Sequence, residues 1–337
     1  MANISIGVIG YGYWGPNIVR NFFNVSNCTV KKVADARPER LNQLHKIFPG
    51  IEGVASADDI LQDPTIDAVV IVTPVFTHFE LARKALLQGK HVLVEKPMTA
   101  SVAEADELMN LAEQKGCTLM VDHTFLYTGA VSKIKELIED KSIGTPRYFD
   151  STRINLGLFQ PDINVLWDLA AHDLSILAHL IDEEPVSVNA TGISHTGNGI
   201  ENIAYMTVNY ASDFIAHFHC SWTSPVKIRQ MLIGADKKML LYNDLEITEK
   251  VKVYDTGYSL KTEEDRKQIL VDYRTGDIFI PKLSSKEALF GVADDFVQSI
   301  VNKRQPVASA ALGRRVVQLL EASQTSISNK GKEVKIS

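Results

Sequence analysis

The stretch from Ile4 to Asp35 constrains this chain more than any other. Ile4, Ile6, Val8 and Ile9 read as a parallel strand covered on both faces, which is why the run alternates only weakly. The strand leads straight into Gly10-Tyr11-Gly12-Tyr13-Trp14-Gly15, a G-x-G-x-x-G turn, and then into a helical stretch around Ile18, Val19, Phe22 and Phe23. A second strand, with Val30 and Val33, ends on Asp35, about twenty residues beyond Gly15. Each part has a physical task. Gly10 permits the tight turn, Gly12 lets backbone approach a pyrophosphate, and Gly15 lets the helix pack closely on the strand. Free N–H groups and the dipole at the helix start favour the phosphates, and Asp35 is the acceptor for the adenosine ribose hydroxyls. The turn residues, Tyr13 and Trp14 included, are therefore dinucleotide-side candidates.

A length of 337 residues predicts two domains, divided as 1-122 and 123-337. Hydrophobic residues make up 45% and charged residues 23%, the balance of a globular protein, and a net charge of −6 argues against nucleic acid or an anionic membrane as the main partner. No run approaches the roughly 18 apolar residues of a membrane span. A strand begins almost at the N-terminus, which leaves no room for a signal peptide, so a cytoplasmic location is expected. Cys28, Cys117 and Cys220 are too widely spaced for a disulfide framework or a zinc pattern; free thiols are the reading, with no metal.

After Asp35, Pro38 suits the first turn of a helix continued by Leu41, Leu44 and Ile47. Arg37 complicates the choice of nucleotide, since an acid here repels a 2′-phosphate and an arginine can hold one. With Asp35 present, NAD is favoured over NADP, and Arg37 also reads as a solvated helix-start residue. The strand Ala68 to Val72 ends in Thr73-Pro74-Val75-Phe76-Thr77-His78, and the strand His91 to Val94 ends in Glu95-Lys96-Pro97. This strand–helix rhythm predicts a doubly wound parallel sheet with ligands at the strand C-termini. Asp35, Thr73-Pro74 and Glu95-Lys96-Pro97 then face one cleft. A lysine in such a place can hold an oxyanion, while a surface Glu–Lys pair is the plainer alternative. A further strand, Cys117 to Val121, leads to Asp122-His123-Thr124-Phe125-Leu126-Tyr127.

Beyond this loop the texture changes. Period-two alternation at Arg147 to Ile154, Pro185 to Ser194, Asn202 to Tyr210, Asp213 to Trp222, Arg229 to Gly234 and Lys238 to Tyr242 predicts a largely antiparallel sheet open on one face. Such a face suits a substrate or a subunit partner, hence a homodimer or homotetramer. Asp255 to Gly276 reads as a loop with at most one hairpin, and Ala288 to Asn302 and Ala311 to Ser328 as helices. Within this domain, Asn164 to His179 fits a helix that contains Asp168, His172 and Asp173. Asp168 and His172 are four apart and share a face, so a carboxylate could orient an imidazole base, although ordinary helix-face pairs have the same spacing. Arg153, Asn155 and Trp167 lie nearby in sequence and join the substrate-side candidates.

Taken together these residues resemble the glucose–fructose oxidoreductase and inositol dehydrogenase (Gfo/Idh/MocA) family, along nearly the whole chain. VIGYGYWG looks like its nucleotide turn, Thr73-Pro74 with His78 like its T-P-x-x-x-H pattern, Glu95-Lys96-Pro97 like its E-K-P signature, and Trp167-Asp168 through His172-Asp173 like its D-x-x-x-H segment. The resemblance implies a Rossmann domain followed by an α/β domain on an open, predominantly antiparallel sheet. It implies NAD(P)-dependent hydride transfer at a hydroxyl or keto carbon of a sugar or nucleotide-linked sugar. Carried over by position, Lys96 binds the reacting oxygen near the nicotinamide, His172 exchanges the proton, and Asp168 orients His172 or binds a neighbouring hydroxyl. Where many members carry an asparagine and an arginine, this chain has Asp122 to Tyr127, which makes His123 a nicotinamide-side candidate and Tyr127 a substrate-side one, with core roles equally open. The stretch Ser221 to Arg229 resembles members from surface-polysaccharide sugar pathways. There Lys227 and Arg229 could meet a diphosphate, or be solvated strand residues. The rival readings are a non-catalytic dinucleotide sensor and a reductase of an imine or small aldehyde.

Overall fold

Ile4, Ile6, Val8 and Ile9 make Ile4–Ile9 (β1) a strand that is buried along its whole length. In the computed structural model, which describes residues 3–259 and 272–336, it lies inside a six-stranded parallel sheet. The others are Cys28–Ala34 (β2), Glu52–Val54 (β3), Ala68–Ile71 (β4), His91–Glu95 (β5) and Leu119–Asp122 (β6), in the order β3-β2-β1-β4-β5-β6. The order reverses between β1 and β4, the switch point at which open sheets of this kind bind ligands beyond their strand C-termini. Gly10, Asp35, Thr73, Lys96 and His123 all lie just past those termini.

The helix Gly15–Phe23 (α1) buries Ile18, Val19 and Phe22, whereas Phe23 faces solvent. Ser101 caps Val102–Lys115 by accepting from the Glu104 amide at 3.3 Å, and Gly116, at φ 63°, ends it in the left-handed region.

The chain separates into two units, but not at residue 122 and not as two continuous segments. Met1–Thr128 is joined by Lys286–Gln318, and Gly129–Ser285 by Leu319–Ser337. The returning segment is bound to the first stretch by side-chain and backbone groups far away in sequence. Phe296 meets Phe22 edge-on at 6.2 Å between ring centres, the Val121 amide donates to Ala308 O at 3.1 Å, and Arg314 pairs with Asp106 at 2.5 Å.

The second unit is built on a nine-stranded sheet. Its main strands are Pro146–Leu156 (β7), Pro185–Ile193 (β8), Ile203–Tyr210 (β9), Ile215–Ser221 (β10), Thr223–Ala235 (β11), Met239–Asn243 (β12) and Val251–Tyr254 (β13). They run in the order β13-β12-β11-β7-β10-β9-β8, with two-residue edge strands Ile278–Phe279 beside β13 and Val334–Lys335 beside β8. Among the described residues the neighbours are antiparallel except β7 and β10, so the sheet is mixed and mostly antiparallel. One face buries Phe149 against Phe218, while the other presents Tyr205, stacked on His219 at 4.5 Å. Within Asp255 to Gly276, expected as a loop with at most one hairpin, Gly257–Ser259 and Asp272–Arg274 pair as a ribbon, and residues 260–271 lie outside the described residues.

Candidate active site

The glycine turn forms as its sequence demands. Gly10 sits at φ +100°, where a Cβ would stand 2.3 Å from Val72 O. A Cβ on Gly15 would stand 2.7 Å from Gly10 O, so this glycine serves the turn's own backbone more than a helix–strand contact. Gly12 is the opposite case. A Cβ there would meet only Arg37 Nη2 at 3.6 Å, leaving an open approach where a pyrophosphate would need one. Tyr13 and Trp14 project from the turn, 83% and 47% exposed, with their rings edge to face at 5.2 Å. The residues present fit a dinucleotide.

Asp35 is at the expected place with an unexpected partner. Its Oδ1 accepts from the Arg37 amide at 3.0 Å and from Arg37 Nε at 2.9 Å. Oδ2 accepts from Arg37 Nη2 at 2.9 Å and from the Tyr11 amide at 2.9 Å. Burial pushes this carboxyl up, but Arg37 and the two amides outweigh it and hold it below the usual range. Four bonds fill the acceptor capacity of a carboxylate, so ribose hydroxyls must displace Arg37, whose side chain is half exposed. Arg37→Ala is therefore expected to tighten NAD several-fold, and Asp35→Ala to weaken it roughly tenfold and relax discrimination against NADP. Both are read by fluorescence titration; unchanged NAD affinity in both variants would remove Asp35 from the nucleotide site.

His78 is a tie within the protein. It is buried, with Nδ1 2.9 Å from Pro97 O and Nε2 2.7 Å from Thr73 O, so it joins the ends of β4 and β5. Burial, with help from Lys96, lowers its pKa despite these carbonyls, and a neutral ring donates to one of them. Thr73 Oγ1 meets Thr77 Oγ1 at 2.6 Å, and Pro74 is exposed.

Beside it, Glu95 Oε2 accepts from the Lys96 amide at 2.8 Å. On the neighbouring strand Asp122 is in register with Glu95, and its Oδ1 accepts from Thr124 Oγ1 at 2.7 Å. Both carboxyls are pushed up: Glu95 by burial and then by Asp122, with Lys96 opposing; Asp122 by burial, with Thr124 and Lys96 opposing. His123 is 1% exposed, with neither ring nitrogen partnered among the described residues, and burial followed by Lys96 takes its pKa down to about 3. Tyr127, a substrate-side candidate with a core role equally open, is half-buried and held through its hydroxyl. Its hydroxyl donates to Asp295 Oδ2 at 2.6 Å and accepts from the Ala308 amide at 3.1 Å.

In the second unit, Asn164 opens the expected helix by accepting from the Leu166 and Trp167 amides at 3.0 and 3.2 Å. The segment is not one α-helix. Leu166–Ala170 is a π turn and the helix Ala171–Leu180 follows it, a widening common at functional sites. Asp168 and His172 lie on either side of this junction and Trp167 within the turn, all three half-buried. Asp168 Oδ2 accepts from the indole Nε1 of buried Trp222 at 3.0 Å, so its carboxylate is fixed by a group far along the chain. Arg153, expected at substrate, is corrected to an interior role. It is 3% exposed and bound to Asp173, its Nε 2.9 Å from Oδ1, while Ser151 Oγ donates to Oδ2 of the same carboxylate at 2.8 Å. A charge in such a place requires its partner. Asn155 is half-buried and Lys227 exposed, while Arg229 Nη1 lies 3.5 Å from Asp244. Among the described residues, no group of three His, Cys, Asp or Glu could hold a metal, and no helix is long and apolar enough to cross a membrane.

The model of an oxidoreductase family with an NAD-binding Rossmann fold matches residues 4–123, and that of the GFO/IDH/MocA C-terminal domain matches residues 131–240. The chain belongs to the Gfo/Idh/MocA oxidoreductase family. It is thus an NAD(P)-dependent dehydrogenase whose first unit is an NAD-binding Rossmann domain. Among Gfo/Idh/MocA relatives, it is 28% identical to UDP-N-acetylglucosamine 3-dehydrogenase of Acidithiobacillus ferrooxidans, over 94% of this chain and 95% of that one. It is also 28% identical to the NADP(+) scyllo-inositol 2-dehydrogenase of Bacillus subtilis, over 61% and 60%. The solved structure of the Acidithiobacillus enzyme superposes with a TM-score of 0.82 at 24% identity, covering 98% of this chain and all of that one, a likeness of fold.

Asn164, Asp173 and Trp222 are the partners that sequence reading does not assign to the site. The indole of Trp222 had one available signal, being a buried polar donor that needs an acceptor.

Proposed function

We propose that this dehydrogenase acts on a hydroxyl or keto carbon of a sugar carried on a nucleotide, with Lys96, Asp168 and His172 as its chemical residues. The observation that carries the reading is the match to a UDP-sugar dehydrogenase along nearly the whole of both chains. The bound nicotinamide supplies the hydride acceptor or donor. Lys96, just past the end of β5, holds the reacting oxygen and stabilises its charge as the proton leaves. His172 takes that proton in oxidation and returns it in reduction. Asp168, anchored by Trp222, directs His172 or a neighbouring hydroxyl. Asn155 and Trp167 are the remaining sugar-side candidates, and Tyr13, Trp14, Thr73, Pro74 and His123 the nucleotide-side ones. The exposed face carrying Tyr205 is the surface on which two copies would pair.

The nucleotide is tested with UDP. UDP alone should compete with UDP-N-acetylglucosamine for turnover. Turnover of free sugars without any effect of UDP would make the substrate an unattached sugar.

A further inference from the structure

A carboxyl pair stands where β5 and β6 end. Glu95 and Asp122 are in register on adjacent parallel strands, so their side chains leave the same face of the sheet. Asp122 is 3% exposed, and its Oδ2 has no partner among the described residues. The charged and titratable neighbours are few. Lys96 acts on both carboxyls, His123 is neutral through burial, and the Tyr127 hydroxyl is bound to Asp295. Two ionised carboxylates against one lysine would leave a net negative charge and an orphaned buried oxygen, an arrangement that like charges and desolvation both disfavour. One proton held between them leaves the cluster neutral with Lys96 charged, and a carboxyl hydrogen gives the orphaned oxygen a partner.

We propose that Glu95 and Asp122 hold one proton in common, and that this proton is released when the positive ring of oxidised nicotinamide binds. The inference rests on the reading above, in which Lys96 lies near the nicotinamide. A cation arriving beside the pair does what a second lysine would: it favours two carboxylates over one. The carboxyl O–H bond breaks, the proton passes to solvent, and the second negative charge then faces the pyridinium. Reduced nicotinamide is uncharged at the ring and exerts no such pull. The pair would therefore link proton binding to the oxidation state of the bound nucleotide, holding NAD more tightly relative to NADH as pH rises.

Calorimetric titration of the full chain with NAD and, separately, NADH, in buffers of different ionisation enthalpy near neutral pH, reads the protons directly. NAD is expected to release roughly half a proton or more and NADH close to none. Asp122→Asn and Glu95→Gln, each near in shape to the residue it replaces, should abolish the difference, since a lone carboxyl has no neighbour with which to share. Equal release for NAD and NADH in the wild type would overturn the proposal without recourse to either variant, as would a difference that persists in both. Failure of the functional reading looks different: NAD would bind with its proton release while no sugar turned over.

Discussion

His172→Ala and Lys96→Ala should each lose turnover by roughly a hundredfold or more while NAD binding persists. The two losses should differ in kind. Without His172 the proton has no acceptor, so the fall lies in kcat. Without Lys96 the reacting oxygen loses a charge-assisted donor, so both substrate binding and the rate suffer. Neither residue belongs to the glycine turn or to the Asp35 carboxylate, so fluorescence titration should show NAD still bound by both variants, with near wild-type affinity for His172→Ala, which lies outside the nucleotide unit. Near-normal turnover in either one would refute its role.

The largest effect on stability is expected from Asp173→Ala. Removing this carboxylate takes away the ion-pair partner that the buried Arg153 guanidinium holds, and breaking such a pair costs about 3–5 kcal/mol. Denaturant unfolding of the variant should show a midpoint lowered accordingly. Replacing both members together, Arg153→Met with Asp173→Leu, should recover much of the loss, because apolar groups of similar volume need no desolvated charge. A single variant as stable as the wild type would mean that solvent reaches the pair.

These two expectations also mark where the sequence was readable. Parts of the nucleotide half are local: a strand, a glycine turn, a helix and an acid follow one another within Ile4 to Asp35, and short-range sterics and hydrogen bonding dictate each step. Period-two alternation likewise foretold the second sheet, since one face of it is buried and the other is not. Arg37 and Asp35 are only two residues apart, yet neither residue type reveals that the arginine closes on both carboxylate oxygens; that depends on how the helix start turns. The remaining gaps are long-range. Arg153 finds Asp173 across a strand–helix contact, Trp222 reaches Asp168 from the bend between β10 and β11, and Lys286–Gln318 returns to a unit whose sheet ended long before. Hydrophobic pattern fixes which face of an element is buried, not which distant element buries it. The π turn at Leu166–Ala170 has no signature in that pattern either.

The most direct test of the central claim is the reduced-nicotinamide absorbance of the purified protein, screened with NAD and NADP separately against nucleotide sugars and free sugars. The account predicts a signal with NAD and a nucleotide sugar that vanishes in His172→Ala. Tight NAD binding with no turnover of any sugar, or a signal that survives His172→Ala, would contradict it and point to a dinucleotide sensor or to chemistry on another group.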